Sequence, residues 1–445
     1  MAAKRSSSVY VCSNCDSQFP GFLGRCPECG KWGTIAVHAV APVSAGPDVA
    51  APALESLESG VQTSVRWPSG VRGVDEVLGG GVVPGALVLL GGDPGIGKST
   101  LVSQVAAGVG RSVLYASGEE SRDQVAGRFA RLGLAVGQLA FLGEPNITAL
   151  AAAVSKAKPS LVVVDSVQTF TVPEANGEPG SVSQVKAVTA RLAEIARASG
   201  ACVLLIGHVT KDGVMAGPRT LEHLVDVVAT LEGERDAQFR LLRTLKNRFG
   251  ATNMVSVFEM TPKGLTLVAN PSERLLADRH QGPGSAIAAL LEGSRVFLVE
   301  VQALVQPTVF GLPRRTVSGL DQNRLQVLLA ILIKRAQVKL ATQDVFVNVV
   351  GGLKLTDRGS DLAVALAIAS AVSGRAVKPG WLALGELGLG GEVRTVPSLV
   401  ERLHEAERLG FQNVVVSAKV KIPGSVKIHA HPVSDLSSAL SLSLA

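Results

Sequence analysis

The stretch GDPGIGKST, residues 92–100, carries the spacing G-x-x-x-x-G-K-[ST] at Gly92, Gly97, Lys98 and Ser99. Glycines at such positions let backbone N–H groups turn inward and cradle an anion. Lys98 then supplies a point charge for the β- and γ-phosphates of a nucleotide, and Ser99 a hydroxyl for a divalent cation. Asp93, Pro94, Gly95 and Ile96 complete the loop, and Thr100 stands next in line for the α-phosphate. ATP with Mg²⁺ is the expected ligand. A second constellation, CSNCDSQFPGFLGRCPECG, sets Cys12, Cys15, Cys26 and Cys29 in a C-x2-C…C-x2-C pattern. Four thiolates spaced this way close a tetrahedral shell around Zn²⁺, with no open position, so the ion is expected to be structural. Two disulfides are the alternative, and a reducing compartment disfavours them.

Those loops need elements to hold them. ALVLLGG before the glycine loop is a continuous apolar run, as a buried parallel strand requires, and LVSQVAAGV after it has helical spacing. The strand-like runs SVLYASGEES, LVVVDSVQ and ACVLLIGHVTKDG follow. In open α/β sheets ligands sit beyond the carboxyl ends of the strands, where Glu119, Asp165 and His208 fall. Asp165 is expected to hold Mg²⁺ together with Ser99. Glu119 is expected to activate the attacking water; as a helix N-terminal acid it competes with Glu120, which suits that position better. His208 is expected to sense the γ-phosphate. Cys202, inside an apolar run, reads as a buried strand residue.

With 445 residues, 47% hydrophobic and 18% charged, the chain is too long for one ordinary domain. We expect an α/β protein: a zinc module over residues 1–37, an Ala/Pro/Ser/Gly-rich linker over 38–62, a P-loop domain over 63–270 and an α+β domain over 271–445. The net charge of +6 suits a nucleic-acid partner without demanding one. LQVLLAILI and LAVALAIASAV fall short of the roughly 20 residues of a membrane span, and no apolar leader follows MAAKRSSSVYVC. No membrane partner and a cytoplasmic location are expected.

The segment PSGVRGVDEVLGGGVVPGALVLLGGDPGIGKST resembles the opening of RecA-type ATPase cores. LKNRFGATN, with Lys246, Asn247, Arg248, Phe249 and Gly250, resembles the RadA/Sms bacterial DNA-repair proteins when taken with the cysteine quartet, and the likeness spans nearly the whole chain. The resemblance implies a DNA-dependent ATPase, a helicase-like motor that processes recombination intermediates by branch migration in double-strand break repair. Its implied partners are single-stranded and branched DNA, a RecA-type recombinase and further copies of itself in a hexameric ring. Lys246 and Arg248 would reach the γ-phosphate of the neighbouring subunit, a contact worth about a thousandfold or more in rate. FTVPEANGEPGSVSQ and TKDGVMAGPRT would be DNA loops, with Lys186, Lys211 and Arg219 as available cations. Only Phe170 among their residues is aromatic, which favours backbone contact over base reading.

Residues 345–420 resemble the Lon protease domain. Aligning DRGSDLA with the Lon serine turn puts Gly359, not Ser360, at the nucleophile position, and Val400 where the family has its lysine. No lysine lies between Lys378 and Lys419. The fold without the peptidase is expected. The rival readings are an ATP-dependent Lon-type protease and an ATP-switched binding protein.

Overall fold

The computed structural model describes residues 8–12, 18–28, 30–39, 65–207, 221–233, 239–309 and 311–445. Cys15, Cys29, His208, Lys211 and Arg219 lie outside the described residues. The chain divides into two compact units, the first of residues 1–232, 242–252 and 261–265, the second of 233–241, 253–260 and 266–445.

At the start of the first unit, β1 (Ser8–Cys12), β2 (Gln18–Phe19) and β3 (Ile35–Ala39) form an antiparallel sheet in the order β2-β1-β3. Its small core consists of Cys12, Cys26 and Ile35, with Tyr10 and Phe19 packed against them. A tight turn brings the Gly30 N–H to the Cys26 carbonyl at 2.8 Å.

Next come α1 (Arg72–Leu78), β4 (Leu87–Gly92), α2 (Lys98–Gly108), β5 (Val113–Ser117), α3 (Arg122–Leu132) and β6 (Leu139–Leu142). They are followed by α4 (Ile147–Ala157), β7 (Leu161–Asp165), α5 (Val182–Ser199), β8 (Cys202–Ile206) and β9 (Val227–Glu232). The six strands pair in parallel in the order β9-β4-β8-β7-β5-β6. Every residue of β4, β5 and β7 is buried, as befits strands covered on both faces by helices. Local signals set the helix starts. Ser121 and Gln124 form a reciprocal capping box on α3, and the Asn146 and Ser181 side chains cap α4 and α5. The chain then passes through β10 (Phe239–Asn247), β11 (Val255–Thr261) and β12 (Gly264–Leu267).

The second unit contains α6 (Pro271–Leu276), β13 (Ser285–Glu292), β14 (Arg295–Pro307), β15 (Arg315–Ser318), α7 (Gln322–Ala336) and β16 (Gln343–Val349). A 3₁₀ turn at Arg358–Ser360 leads into α8 (Asp361–Ser373). After it come β17 (Trp381–Ala383), β18 (Glu386–Leu387), β19 (Val393–Arg394), α9 (Leu399–Arg408), β20 (Asn413–Ser417), β21 (His429–Val433) and α10 (Leu436–Ser443). A mixed sheet β13-β14-β16-β15, a parallel sheet β17-β20-β21 and the pair β18-β19 make up its strands. Helix α8 is buried on all sides from Asp361 to Ser370, which explains its unbroken apolar text. Among the described residues no helix is long and apolar enough to cross a membrane.

Phe170, the one aromatic residue of the two stretches expected to contact DNA, is 0% exposed and belongs to the core beneath β7 and β8. It is a packing residue and offers no ring to a base. Phe170→Ala should therefore lower stability by roughly 3–5 kcal/mol, read from the denaturant midpoint of the full chain.

Candidate functional site

Strand β4 delivers the glycine loop to the carboxyl end of the sheet. The loop fits only without side chains at two points. A Cβ on Gly92 would come within 2.5 Å of the Leu231 carbonyl oxygen, and Gly97, the N-cap of α2, has φ 114°. Because no side chain caps α2, its first N–H groups are left for an outside anion. Ile96 is 1% exposed and anchors the loop in the core. Lys98 is 4% exposed, and its ammonium donates to the carbonyls of Gly92 at 2.7 Å and Asp93 at 2.9 Å. Burial lowers its pKa, against the pull of Asp165, Asp93 and Glu119.

Asp165, at the end of β7, is 4% exposed. Tyr115 donates its hydroxyl to Asp165 Oδ2 at 2.9 Å, and the nearby Ser99 side chain favours the charged form of the same carboxylate. Burial raises its pKa, opposed by Tyr115, Ser99 and Arg128. Thus the two residues expected to hold Mg²⁺ stand near one another. Their hydroxyl and carboxylate oxygens are the hard donors this cation takes.

Glu119 stands one strand over, past the end of β5. It is exposed, and Ser166 donates its hydroxyl to Glu119 Oε1. Ser117 Oγ accepts from the Glu119 and Glu120 amides at 3.3 and 3.0 Å, folding the turn tightly. Glu120 pairs with Arg128 at 2.5 Å, and the capping box serves the start of α3. Glu120 directly precedes the N-cap Ser121, at the helix N-terminal position expected of an acid. The structure thus gathers Lys98, Ser99, Asp165 and Glu119 at one edge of the sheet.

The Lys246–Gly250 segment lies at the end of β10 and in the turn after it. Asn247 is 8% exposed, donates to the Leu78 carbonyl at 3.2 Å and accepts from the Phe249 amide at 2.9 Å. Arg66 reaches the Leu78 carbonyl at 3.0 Å and the Phe249 carbonyl. Gly250 lies where a Cβ would be 3.2 Å from Asn247 Nδ2. The two cations meet on one segment: Lys246 donates to the carbonyls of Glu222 at 2.6 Å and Val225 at 2.9 Å, and Arg248 pairs with Asp226 at 3.2 Å.

The loop after β7 is held by one side chain that the sequence did not single out. Gln184, 4% exposed on α5, accepts from the Val172 amide at 2.9 Å and donates to the carbonyls of Val172, Ala175 and Gly177 at 3.2, 2.7 and 3.4 Å. Lys186 lies half-buried on the same helix, within its first two turns. Tyr115, Arg128, Ser166 and Arg66 were missed as well. Their only signal was a polar group in or beside an apolar run.

In the second unit Gly359 sits in the 3₁₀ turn. A Cβ there would lie 3.0 Å from Asp357 Oδ2, 3.1 Å from Val396 Cγ1 and 3.2 Å from an Arg402 guanidinium nitrogen. Arg402 is 0% exposed, pairs with Asp357 and donates to the carbonyls of Pro397 at 3.0 Å and Ala289. Ser360 is 2% exposed and lines an open cavity of about 630 Å³. Asp361, on the same wall, is bound by Arg324.

Three family models match parts of the chain: an AAA domain over residues 72–214, the subunit ChlI of Mg-chelatase over 299–420 and a rubredoxin metal binding domain over 10–36. Proteins named DNA repair protein RadA are similar along almost all of it. The one from Bacillus subtilis (strain 168) is 44% identical over 433 residues, which is 93% of each chain. That of Pseudomonas aeruginosa is 43% identical, covering 96% of this chain and 97% of its own, and that of Halalkalibacterium halodurans is 41% identical over the whole of both. Among solved structures, the KaiC-like protein PH0186 from Pyrococcus horikoshii OT3 matches with a TM-score of 0.40 and 21% identity, over 46% of this chain and 99% of that one.

The Gln184 clamp yields a test of its own. Gln184→Ala should speed hydrogen exchange at the Val172 amide by about tenfold, the loss of roughly one buried hydrogen bond, while amides in β7 keep their protection.

Proposed function

Because the chain belongs to the RadA family of DNA repair proteins, we propose that it is a DNA-dependent ATPase motor that processes branched recombination intermediates alongside a RecA-type recombinase. The fold is a RecA-like P-loop core with an N-terminal zinc ribbon and a ChlI- or Lon-like C-terminal domain. The observation that carries the reading is the meeting of Lys98, Ser99, Asp165 and Glu119 at the carboxyl edge of a buried parallel sheet.

In this reading backbone N–H groups of the glycine loop and of the start of α2 receive the phosphates. Lys98 exchanges its loop carbonyls for β- and γ-phosphate oxygens. Ser99 and Asp165 would hold Mg²⁺, which neutralises charge developing on those oxygens. Glu119 accepts the proton of the attacking water, its carboxylate oriented by the Ser166 hydroxyl. His208 is assigned to the γ-phosphate from the strand beside it. Cys12, Cys15, Cys26 and Cys29 would hold Zn²⁺; the burial of Cys12 and Cys26 in the core of a three-stranded module fits a structural ion.

Lys246 and Arg248 are assigned to the γ-phosphate of an adjacent subunit in a ring of six. Both rest on the segment Glu222–Asp226, which continues from residues 208–220. A DNA strand on that loop, with Lys211 and Arg219, and on the loop near Lys186 would therefore bear on the same cations. This linkage supports DNA-stimulated turnover.

The domain resembling Lon is assigned no peptidase chemistry. The nucleophile position is Gly359, the space for its side chain is filled by Arg402, Asp357 and Val396, and the lysine position is Val400. A serine hydroxyl without a base is a weak nucleophile at neutral pH.

Two experiments test these readings. ATP turnover by the full chain should rise on adding single-stranded DNA. Glu119→Gln should lower turnover by about a hundredfold or more with ATP still bound, and Lys246→Ala should lose the DNA response. Equal turnover with and without DNA in the wild type would refute the motor. Separately, Gly359→Ser should lower the melting temperature and leave casein intact; casein cleavage by wild type or variant would restore the protease reading.

A further inference from the structure

Asp165 is held from behind by a chain of buried polar groups. Tyr115, in the middle of β5, is 0% exposed, and its ring packs edge-on against Phe129. Its hydroxyl donates to Asp165 Oδ2 at 2.9 Å and accepts from Arg128 at 2.9 Å. Arg128, on α3, is 8% exposed. Its other nitrogens reach Ser103 Oγ at 3.0 Å and Glu120 Oε1 at 2.8 Å. Ser103 in turn donates to the Ser99 carbonyl at 2.7 Å. One guanidinium therefore ties together the helix that follows the glycine loop, the strand behind Asp165 and the turn that carries Glu119.

The direction of the Tyr115 proton follows from this arrangement. A guanidinium has donors and no acceptor, so Arg128 can only donate to the phenol oxygen. The single phenol proton is left to point at Asp165. Oδ2 is thereby turned towards the sheet interior, and the carboxylate is presented to Ser99 in one orientation. Groups that stand behind a ligating carboxylate in this way commonly carry about 10- to 100-fold of metal affinity or activity. A tyrosine recruited for packing alone would need no such partner.

We propose that Tyr115 and Arg128 are positioning residues for the magnesium site: Tyr115 fixes the rotamer of Asp165, and Arg128 fixes the proton of Tyr115. The inference rests on the reading that Asp165 holds the cation with the nucleotide.

The test is the affinity of the full-length protein for a fluorescent ATP analogue, measured in Mg²⁺ and in EDTA. In the wild type Mg²⁺ should tighten binding, and Asp165→Asn should abolish most of that gain. If the gain is absent in the wild type or survives in Asp165→Asn, the assignment of Asp165 itself fails. Given that gain, Tyr115→Phe should reduce it about tenfold and leave EDTA affinity within about twofold. Since Tyr115→Phe leaves Arg128 short of a partner, the double variant Tyr115→Phe/Arg128→Met removes both ends of the hydrogen bond at similar volume. It should show the same selective loss, with a lower melting temperature because the Ser103 and Glu120 contacts of Arg128 go as well. An unchanged Mg²⁺ gain in either variant, or an equal loss in Mg²⁺ and in EDTA, would overturn the proposal and leave Tyr115 as a packing residue.

Discussion

The first unit is organised around one costly group, the Lys98 ammonium at 4% exposure. Taking a cation out of water costs several kcal/mol even after relaxation, on the order of a whole domain's net stability. The strand bodies cannot help, because β4, β5 and β7 are apolar and fully buried. Compensation has to come from the strand ends, and it does. The carbonyls of Gly92 and Asp93 accept from the ammonium, and Asp165, Asp93 and Glu119 stand close enough to raise its pKa against burial. Asp165 then becomes the next buried charge to satisfy, which Ser99 and Tyr115 do. Tyr115 needs a donor behind it, and Arg128 supplies one. The polar network is thus a sequence of debts settled outward from the glycine loop until it ends at Glu120, near the surface.

Legibility in the sequence follows the range of each requirement. The glycine loop was readable because the demands on it are local: Gly92 and Gly97 answer to backbone geometry within a few residues. Asp165 and Glu119 were readable because strand ends can be placed from apolar runs. Tyr115 was not, since an aromatic residue in a strand is ordinary, and the partner that gives it meaning lies 50 residues away. Arg128 reads as the polar face of an amphipathic helix, yet it is 8% exposed. Gln184 and Phe170 were hidden for the same reason: the first serves a loop seven to twelve residues before it, and the second is inside a core. For Lys246 and Arg248 the pairing was readable and the contacts were not, because carbonyls on Glu222 and Val225 leave no trace in side-chain text.

In the second unit a buried guanidinium holds the turn at Gly359. Arg402, with 0% exposure, fills the space beside Gly359 and is satisfied by Asp357 and two carbonyls. That arrangement is self-consistent, and it stands against a serine at 359 by volume as well as by chemistry. Losing one partner of such a buried pair typically costs about 3–5 kcal/mol.

Both units therefore rely on a buried guanidinium, and the reason is geometric. Arginine offers five donors in a rigid plane and keeps its charge under any condition a protein meets, whereas a buried lysine escapes its cost by losing a proton. Arg128 uses the plane to join three segments that converge on one carboxylate, and Arg402 uses it to join a turn, a strand and a helix approach around Gly359. A lysine at either place would offer a point charge on a flexible stem, without the rigid plane that spans separate segments. The difference between the two lies in what the partner does next. Asp357 ends its chain by capping the Gly359 amide at 3.0 Å, so the pair only holds a turn. Tyr115 passes the constraint on to a carboxylate that faces Ser99, so the same device comes to bear on the group proposed to hold the cation.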